Sequence, residues 1–287
     1  MEQLTVKDVL DKTTDFFKEH GIDTPRLDAE ILLAEVLELE RIKLYVNFDQ
    51  PLENSEVDQY RELIVSRSKG IPVAYLVQKQ EFMSLEFKVT PDVLIPRPET
   101  EHLVETTLEL IAELDRTELK IVDVGTGSGA IIISLVKLAS KELTGVGIDI
   151  SEQALKVAQK NAIKQQVKGK IEFKVGDLLE PLNDSVDLIV SNPPYIPTGQ
   201  LASLQQEVKA EPMLALDGGA EGLDYYYQII KQATAKLRAG GLILLEVGIN
   251  QARKIADVLA EFNFKEIEII EDYSGIERVV KASYDKE

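Results

Sequence analysis

The chain has 287 residues and a mass of 32.0 kDa, and its 32 Lys+Arg against 50 Asp+Glu give a formal net charge of −18. Hydrophobic residues make up 44% and charged residues 29%, a globular composition with an acidic surface that excludes wholesale disorder. Cysteine is absent and the only histidines are His20 and His102, which excludes disulfides, zinc–thiolate sites, iron–sulfur clusters, a cysteine nucleophile and a His-rich metal site. No apolar run approaches the roughly 18 residues that span a bilayer. The opening segment MEQLTVKDVLDKTTDFFKEH is too polar for a secretory signal, so a soluble cytoplasmic protein is expected. The acidic balance argues against broad phosphate-backbone binding, while leaving room for a local basic patch.

The first 80 residues read as helices. Thr5 is placed to cap a helix carrying Val6, Leu10 and Phe17. Thr24-Pro25 looks like an N-cap with proline at the first helical position, ahead of Leu27, Ile31, Leu33, Ala34 and Leu37. Ser55 is placed to cap a further helix with Val57, Tyr60 and Ile64. Residues 81–98 alternate through Phe82, Leu85, Phe87 and Val89 and then carry prolines at 91, 96 and 98, which predicts a hairpin and an extended connector. Helical spacing returns over 99–114. From residue 119 onward, strands at 120–125, 143–150, 171–177, 186–195 and 241–248 alternate with helices, with two more strand candidates at 265–270 and 278–282. Ser151 opens one helix, and another over 225–238 is predicted to end at Gly240-Gly241. This alternation predicts βαβ units in an α/β domain with a mostly parallel sheet, and ligands at the carboxyl ends of its strands. The expected organisation is a helical domain over 1–80, a connector over 81–98 and an α/β domain over 99–287.

The turn Gly125-Thr126-Gly127-Ser128-Gly129 follows a strand and opens a helix near Ala130. Glycines there let the backbone turn sharply and approach a ligand closely. A dinucleotide fingerprint is just satisfied through Ala130, while a G-x-G-x-G turn is typical of nucleoside-binding methyltransferases; a plain strand–helix turn is the bland alternative. Asp149 ends the next strand, 20 residues after Gly129, where a carboxylate can accept both ribose hydroxyl protons of an adenosine. Asp177 ends the third strand, within reach of an adenine amino group, with Leu178 beside it to pack on the purine face. Each acid alone reads equally as a cap or turn residue. The set carries the reading, because three consecutive strands each end in a group suited to one part of adenosine.

Ser191-Asn192-Pro193-Pro194-Tyr195 follows the fourth strand. Each proline pushes its predecessor into extended geometry and lacks an N–H, so the segment is stiff and offers acceptors rather than donors. The Asn192 side-chain oxygen and the Pro193 carbonyl can each take one hydrogen of a planar NH2 group, and Tyr195 can lie against the flat face of an amide or base. Such a clamp suits methylation of an amide or exocyclic amine, whose nitrogen is a poor nucleophile because its lone pair is delocalised. Acceptors on its hydrogens raise electron density at nitrogen, alignment with an electrophilic methyl supplies proximity, and preorganised dipoles meet the developing positive charge. The proton leaves late, to solvent, and no His or Cys base is required.

Asn192-Pro193-Pro194-Tyr195 is the motif of class I S-adenosylmethionine-dependent methyltransferases that modify planar NH2 groups. Together with LIPRPETEHLVE (94–105), VDVGTGSGAI (122–131), IVSNPPYIP (189–197), EPMLALDGGAEGLDYYYQII (211–230), LLEVG (244–248) and DYSGIERVV (272–280), it makes residues 80–282 resemble the release factor glutamine methyltransferase family. The resemblance implies a Rossmann-like, mostly parallel seven-stranded sheet. It implies S-adenosyl-L-methionine as cofactor, S-adenosyl-L-homocysteine as product, and N5-methylation of the glutamine in the Gly-Gly-Gln motif of class I peptide chain release factors. By position, Gly125, Thr126, Gly127, Ser128 and Gly129 would wrap the methionine moiety, Asp149 would hold the ribose, and Asp177 and Leu178 would flank adenine. Asn192, Pro193, Pro194 and Tyr195 would hold the glutamine amide, with Asn192, Pro193 and Tyr195 as the catalytic set and Asn192 also beside the cofactor. Leu94 and Arg97 would lie in the connector near the cofactor mouth, while Glu246 and Arg278 fall in matching segments without an assigned role. The helical N-terminal region corresponds to the family's small recognition domain.

The alternative is a nucleic-acid adenine or guanine methyltransferase using the same clamp. The acidic balance and the lack of a recognisable basic domain count against it, although a flipped base fits an NH2 clamp. An NAD-dependent dehydrogenase leaves the Asn-Pro-Pro-Tyr tetrad without a role, and an intact tetrad argues against a non-catalytic binder. Neither membrane nor direct nucleic-acid contact is expected, no metal is expected, and a monomer is the default assembly.

Overall fold

The computed structural model describes residues 3–285. The chain forms two compact units, Met1–Lys79 with Gln205–Ala210, and Gln80–Leu204 with Glu211–Glu287. The first contains helices α1 (Val6–Glu19), α2 (Pro25–Val36), α3 (Arg41–Val46), α4 (Asn54–Ser68) and α5 (Val73–Val77). α1 begins where predicted: Thr5 Oγ1 accepts from the Asp8 N–H at 3.2 Å and the Asp8 carboxylate accepts from the Thr5 N–H at 3.0 Å, a reciprocal capping box.

Two caps differ from expectation. The Thr24 hydroxyl donates to Asp28 Oδ1 at 2.7 Å instead of capping α2, because buried Asp28 needs donors and Pro25 already removes one orphan amide. α4 starts before Ser55, since Glu53 and Glu56 cap it reciprocally and place Ser55 inside the first turn. Leu10, Phe17, Leu32, Leu33, Leu44 and Tyr60 form the core of this unit, and the Tyr60 hydroxyl donates to the Ala29 carbonyl at 3.0 Å. Buried Arg67 donates from Nε to Asp28 Oδ2 at 2.6 Å and pairs through its other end with Glu207. That ion pair helps group residues 205–210 with the helices, which no local pattern in the segment announces.

The second unit opens with the predicted hairpin, a two-stranded sheet of β1 (Lys79–Phe82) and β2 (Leu85–Lys88). Its turn residues Met83 and Ser84 have φ of 51° and 57°, as a primed two-residue turn demands, and the Met83 N–H donates to Glu101 Oε1 at 2.6 Å. Then follow α6 (Glu101–Glu113), β3 (Glu118–Val124), α7 (Ala130–Leu138), β4 (Glu142–Asp149), α8 (Glu152–Lys164), β5 (Ile171–Val175) and β6 (Val186–Ser191). After α9 (Gln206–Lys209), within the segment grouped with the first unit, come α10 (Asp224–Lys236), β7 (Leu237–Glu246), α11 (Ala252–Glu261), β8 (Lys265–Glu271) and β9 (Glu277–Tyr284).

One seven-stranded sheet runs in the order β5-β4-β3-β6-β7-β9-β8. Its first five strands are parallel, and β9 lies antiparallel between β7 and β8. This is the Rossmann-like, mostly parallel sheet expected from the strand–helix alternation. The central strand β3 is apolar at Ile121, Val122 and Val124, all buried, as a strand covered on both faces requires. Strand order reverses between β3 and β6, which opens a crevice beyond their carboxyl ends.

Gly240-Gly241 do not end a helix. α10 stops at Lys236, β7 begins at Leu237, and the two glycines lie inside β7 at its register shift against β6. The extra residues on β7 need a left-handed step, which Gly240 takes with φ +68°. Among the described residues no helix is long and apolar enough to cross a membrane, and no cluster of three or more His, Asp or Glu could hold a metal ion.

Candidate active site

The carboxyl ends of β3, β4, β5 and β6 and the start of α10 surround a cavity of about 470 Å³. Gly125, Gly127, Asp149, Asp177 and Leu178 line it, and so do Asn192, Pro193 and Pro194. The sheet therefore brings the two groups of sequence-predicted residues to one space.

Gly125 and Gly127 have φ of +72° and +53°, and a Cβ at either would meet no atom closer than 4.0 Å. The turn thus leaves open room where a ligand can approach the backbone. Gly129 serves packing instead, since a Cβ there would lie 2.8 Å from Ile133 Cδ1. Thr126 and Ser128 are buried and do not line the cavity; the Thr126 hydroxyl donates to Asp123 Oδ2 at 2.6 Å. Burial, reinforced by nearby Asp149, pushes the Asp123 carboxyl up to about 7, and its Oδ1 has no partner.

Asp149 ties the turn to the next helix. Its Oδ2 accepts from the Gly127 N–H at 2.8 Å and its Oδ1 from the Ser151 N–H at 2.9 Å, and burial pushes its pKa up. Each oxygen keeps a lone pair for a further donor. Ser151 caps α8 as predicted, accepting from the Ala154 N–H at 3.2 Å. Asp177 is exposed, and Leu178 is half-buried with φ 48°.

The run Tyr225-Tyr226-Tyr227 has three different fates. Tyr225 lines the cavity, Tyr226 is 1% exposed with its hydroxyl donating to the Glu246 carbonyl at 2.8 Å, and Tyr227 is 48% exposed. Sequence reasoning missed Tyr225, because three identical neighbours give no basis for choosing one until the helix phase is known.

Asn192 Nδ2 donates to Thr100 Oγ1 at 3.1 Å. Tyr195 does not line the cavity; its ring packs half-buried on the core, and burial with the Glu246 charge pushes its pKa up to about 12. The loop beyond it is strapped to residues 216–219. The Ile196 N–H donates to the Leu216 carbonyl at 3.1 Å, the Gly218 N–H to the Ile196 carbonyl at 2.8 Å, and the Thr198 N–H to the Gly219 carbonyl at 2.9 Å.

Arg97 pairs with buried Glu211, whose Oε2 also accepts from the Ile95 N–H at 3.2 Å, so Arg97 anchors the connector. Leu94 lines the cavity. Arg278 Nε donates to Asp272 Oδ2 at 3.1 Å. Glu246, at the end of β7, is fully enclosed; burial pushes its carboxyl up to about 7, partly offset by nearby Thr100, Arg278 and Asn192, and its Oε2 has no hydrogen-bond partner. Thr100 falls in the segment 94–105 that carries the resemblance but had no assigned role, and Gln251, whose Nε2 donates to the Tyr195 carbonyl at 2.9 Å, had no signal in the sequence beyond its polarity.

Comparison with known proteins follows the same division. Residues 8–77 match the family model described as the PrmC N-terminal domain, and residues 115–216 match that of a methyltransferase domain. The chain is 41% identical over 278 residues to the release factor glutamine methyltransferase of Geobacter sulfurreducens, covering 96% of this chain and 95% of that protein. It is 40% identical over 278 residues to the protein of the same name from Moorella thermoacetica, covering 96% and 97%. Among solved structures, a methyltransferase from Pyrococcus furiosus shares the fold with a TM-score of 0.53 at 14% identity, over 71% of this chain and 91% of that one. Similarity at this level over nearly the full length of both chains, on a class I methyltransferase sheet, shows that the chain belongs to the release factor glutamine methyltransferase family.

Proposed function

We infer that this protein methylates the side-chain amide nitrogen of the glutamine in the Gly-Gly-Gln motif of class I peptide chain release factors, with S-adenosyl-L-methionine as donor, in the cytoplasm. The observation that carries this is the single cavity joining the Gly125–Gly127 backbone and Asp149 to Asn192, Pro193 and Pro194. The residues present fit the cofactor, because the glycine turn leaves open room and a half-buried carboxylate with spare lone pairs, Asp149, faces the same space.

On this reading Gly125 and Gly127 hold the methionine part, Thr126, Ser128 and Gly129 shape the turn, and Asp149 accepts from the ribose hydroxyls. Asp177 and Leu178 flank adenine, with Tyr225 supplying a ring in the same wall. When bound, S-adenosyl-L-methionine supplies an electrophilic methyl on a sulfonium. Asn192 Oδ1 and the Pro193 carbonyl accept the two amide hydrogens of the glutamine and keep its lone pair directed outward, Pro194 holds the backbone extended, and the Tyr195 ring, packed on the core rather than lining the cavity, anchors the end of the tetrad. These acceptors meet the positive charge that develops on nitrogen, and the departing proton passes to solvent. The helical region over 1–80, followed by the connector over 81–98, is assigned the release factor, while residues 99–287 carry the chemistry. The charge of −18 suits a basic partner surface.

The direct test incubates the protein with a release factor and S-adenosylmethionine and weighs the Gly-Gly-Gln peptide. One added methyl is expected on glutamine. Methyl found only in added DNA or RNA refutes the reading.

A further inference from the structure

We propose that Asn161, a buried amide on α8, sets the spacing between two walls of the cavity, the glycine turn and the segment 92–94, and is thereby a positioning residue for the cofactor. The proposal rests on the reading above that S-adenosyl-L-methionine binds at the glycine turn. It does not depend on which NH2 group receives the methyl.

Asn161 is fully enclosed, and a buried primary amide needs partners for its two hydrogens and its oxygen. It finds them on two separate segments. Its Oδ1 accepts from the Lys88 N–H at 2.7 Å, and its Nδ2 donates to the Lys88 carbonyl at 2.9 Å and to the Ser128 carbonyl at 2.9 Å. Lys88 ends β2 of the two-stranded sheet, and Asn161 meets both of its backbone groups as a neighbouring strand would. That pairing fixes the amide orientation. Only Oδ1 can take the Lys88 N–H, which leaves both hydrogens of Nδ2 for carbonyls.

Both segments run into the cavity. Ser128 lies between Gly127, which lines it, and Gly129, where a Cβ would lie 3.2 Å from the Ala158 Cβ one turn before Asn161 on α8. The glycine turn therefore sits directly on α8, tied through Asn161 at Ser128 and through Asp149 at Gly127 and Ser151. Lys88 stands four residues before Asp92, and Asp92, Val93 and Leu94 line the same cavity. The link is a tight turn: the Thr90 hydroxyl accepts from the Asp92 N–H at 3.3 Å and the Thr90 carbonyl from the Val93 N–H at 3.1 Å, with Pro91 between. A shift at Lys88 is thus passed to the 92–94 wall, while the Asn192–Pro194 wall is carried by the end of β6. Gln165, just past α8, supplies a contrast. Its Nε2 donates to the Glu86 carbonyl at 2.9 Å, which fastens the same hairpin to the same helix at a distance from the glycine turn.

The test uses the full chain and calorimetric binding of S-adenosylhomocysteine. Asn161→Asp keeps the size and the acceptor for Lys88 but, ionised, cannot donate; Asn161→Ala removes the amide; Gln165→Ala loosens the hairpin alone. Both Asn161 variants are expected to weaken S-adenosylhomocysteine about tenfold or more, and Gln165→Ala to stay within about twofold of the parent. With a class I release factor as acceptor, KM for S-adenosylmethionine is expected to rise in parallel in the Asn161 variants, while kcat at saturating S-adenosylmethionine stays within about threefold. Parent-like affinity in the Asn161 variants overturns the proposal, and so does an equal loss in Gln165→Ala, which would assign the effect to the hairpin as a whole. A lowered kcat with unchanged KM for S-adenosylmethionine also overturns it. If one Asn161 variant fails to fold, the other decides. A parent that binds no S-adenosylhomocysteine overturns the cofactor reading and the proposal together. A parent that binds it but methylates only a nucleic-acid amine overturns the substrate reading alone, and the affinities still decide the role of Asn161.

Discussion

Gln251 holds the backbone of Tyr195, its Nε2 donating to the Tyr195 carbonyl at 2.9 Å while its Oε1 accepts from the Gly248 N–H at 3.0 Å. The same Nε2 reaches the Gly222 carbonyl at 3.3 Å. One side-chain amide at the start of α11 thus joins the Asn-Pro-Pro-Tyr loop, the turn at Gly222 and the end of β7.

Disturbing that junction should impair chemistry more than cofactor binding. Gly222 has φ +74°, and a Cβ there would lie 2.2 Å from the Tyr195 carbonyl oxygen, so Gly222→Ala must displace the loop. Gly222→Ala and Gln251→Ala are each expected to lower kcat about tenfold or more while S-adenosylhomocysteine affinity changes little. Single-turnover rates and calorimetry on the same preparations separate the two effects.

Asp149 serves the glycine turn and, on the proposed reading, the ribose. Asp149→Asn turns an NH2 toward one of the two backbone N–H groups that the carboxylate now accepts from, at 2.8 and 2.9 Å. Loss of a charged acceptor for the ribose hydroxyls should weaken S-adenosylhomocysteine roughly 10- to 100-fold, at about 1.5–3 kcal/mol per charged hydrogen bond. Unchanged affinity by calorimetry would remove the ribose role.

Asp123 and Glu246 make stability depend on pH. Burial pushes both up to about 7 in the folded chain. In the unfolded chain both lose their protons near about 4, so between about 4 and 7 the native state holds more protons and stability falls as pH rises, levelling above about 7. Asp149 shifts in the same direction, whereas Asp8, Asp184 and Asp272 are lowered and lose their contribution only at more acidic pH. The combined effect should be on the order of a few kcal/mol. Urea midpoints at pH 5 and pH 8 should differ in the parent and converge in an Asp123→Asn, Glu246→Gln double variant.

Arg67 holds two acids of the first unit. Arg67→Ala leaves Asp28, 4% exposed, without its cation, which should destabilise by about 3–5 kcal/mol. Glu207→Ala removes the partly exposed half of the arrangement and should cost about 1 kcal/mol or less. Denaturant midpoints of the two variants should therefore separate clearly; equal midpoints would mean the buried pair contributes no more than the exposed one.

Most of the sheet was legible from the sequence because its signals are local. Apolar runs at 120–124, 143–148 and 186–190, followed within two residues by Gly125, Asp149 and Asn192, mark parallel strands whose ends carry ligand-facing groups. Caps were read less well. Thr24 and Ser55 have the right side chains for capping, but a buried Asp28 captures one and a Glu53–Glu56 pair pre-empts the other. Gly240-Gly241 looked like a helix stop because a strand irregularity uses the same left-handed step.

By itself the sequence determined the chemistry on offer: glycines that open a turn, acids at strand ends, and a stiff acceptor-only tetrad in a chain without cysteine. Only the tertiary structure decided how those groups are set. It selected Tyr225 from three adjacent tyrosines by helix phase, and moved Thr126 and Ser128 away from the cavity. It also brought Thr100 to Asn192, a partner 92 residues upstream. The reason is physical: a donor or acceptor carries no record of its partner in the sequence, and sheet order and burial decide which groups meet.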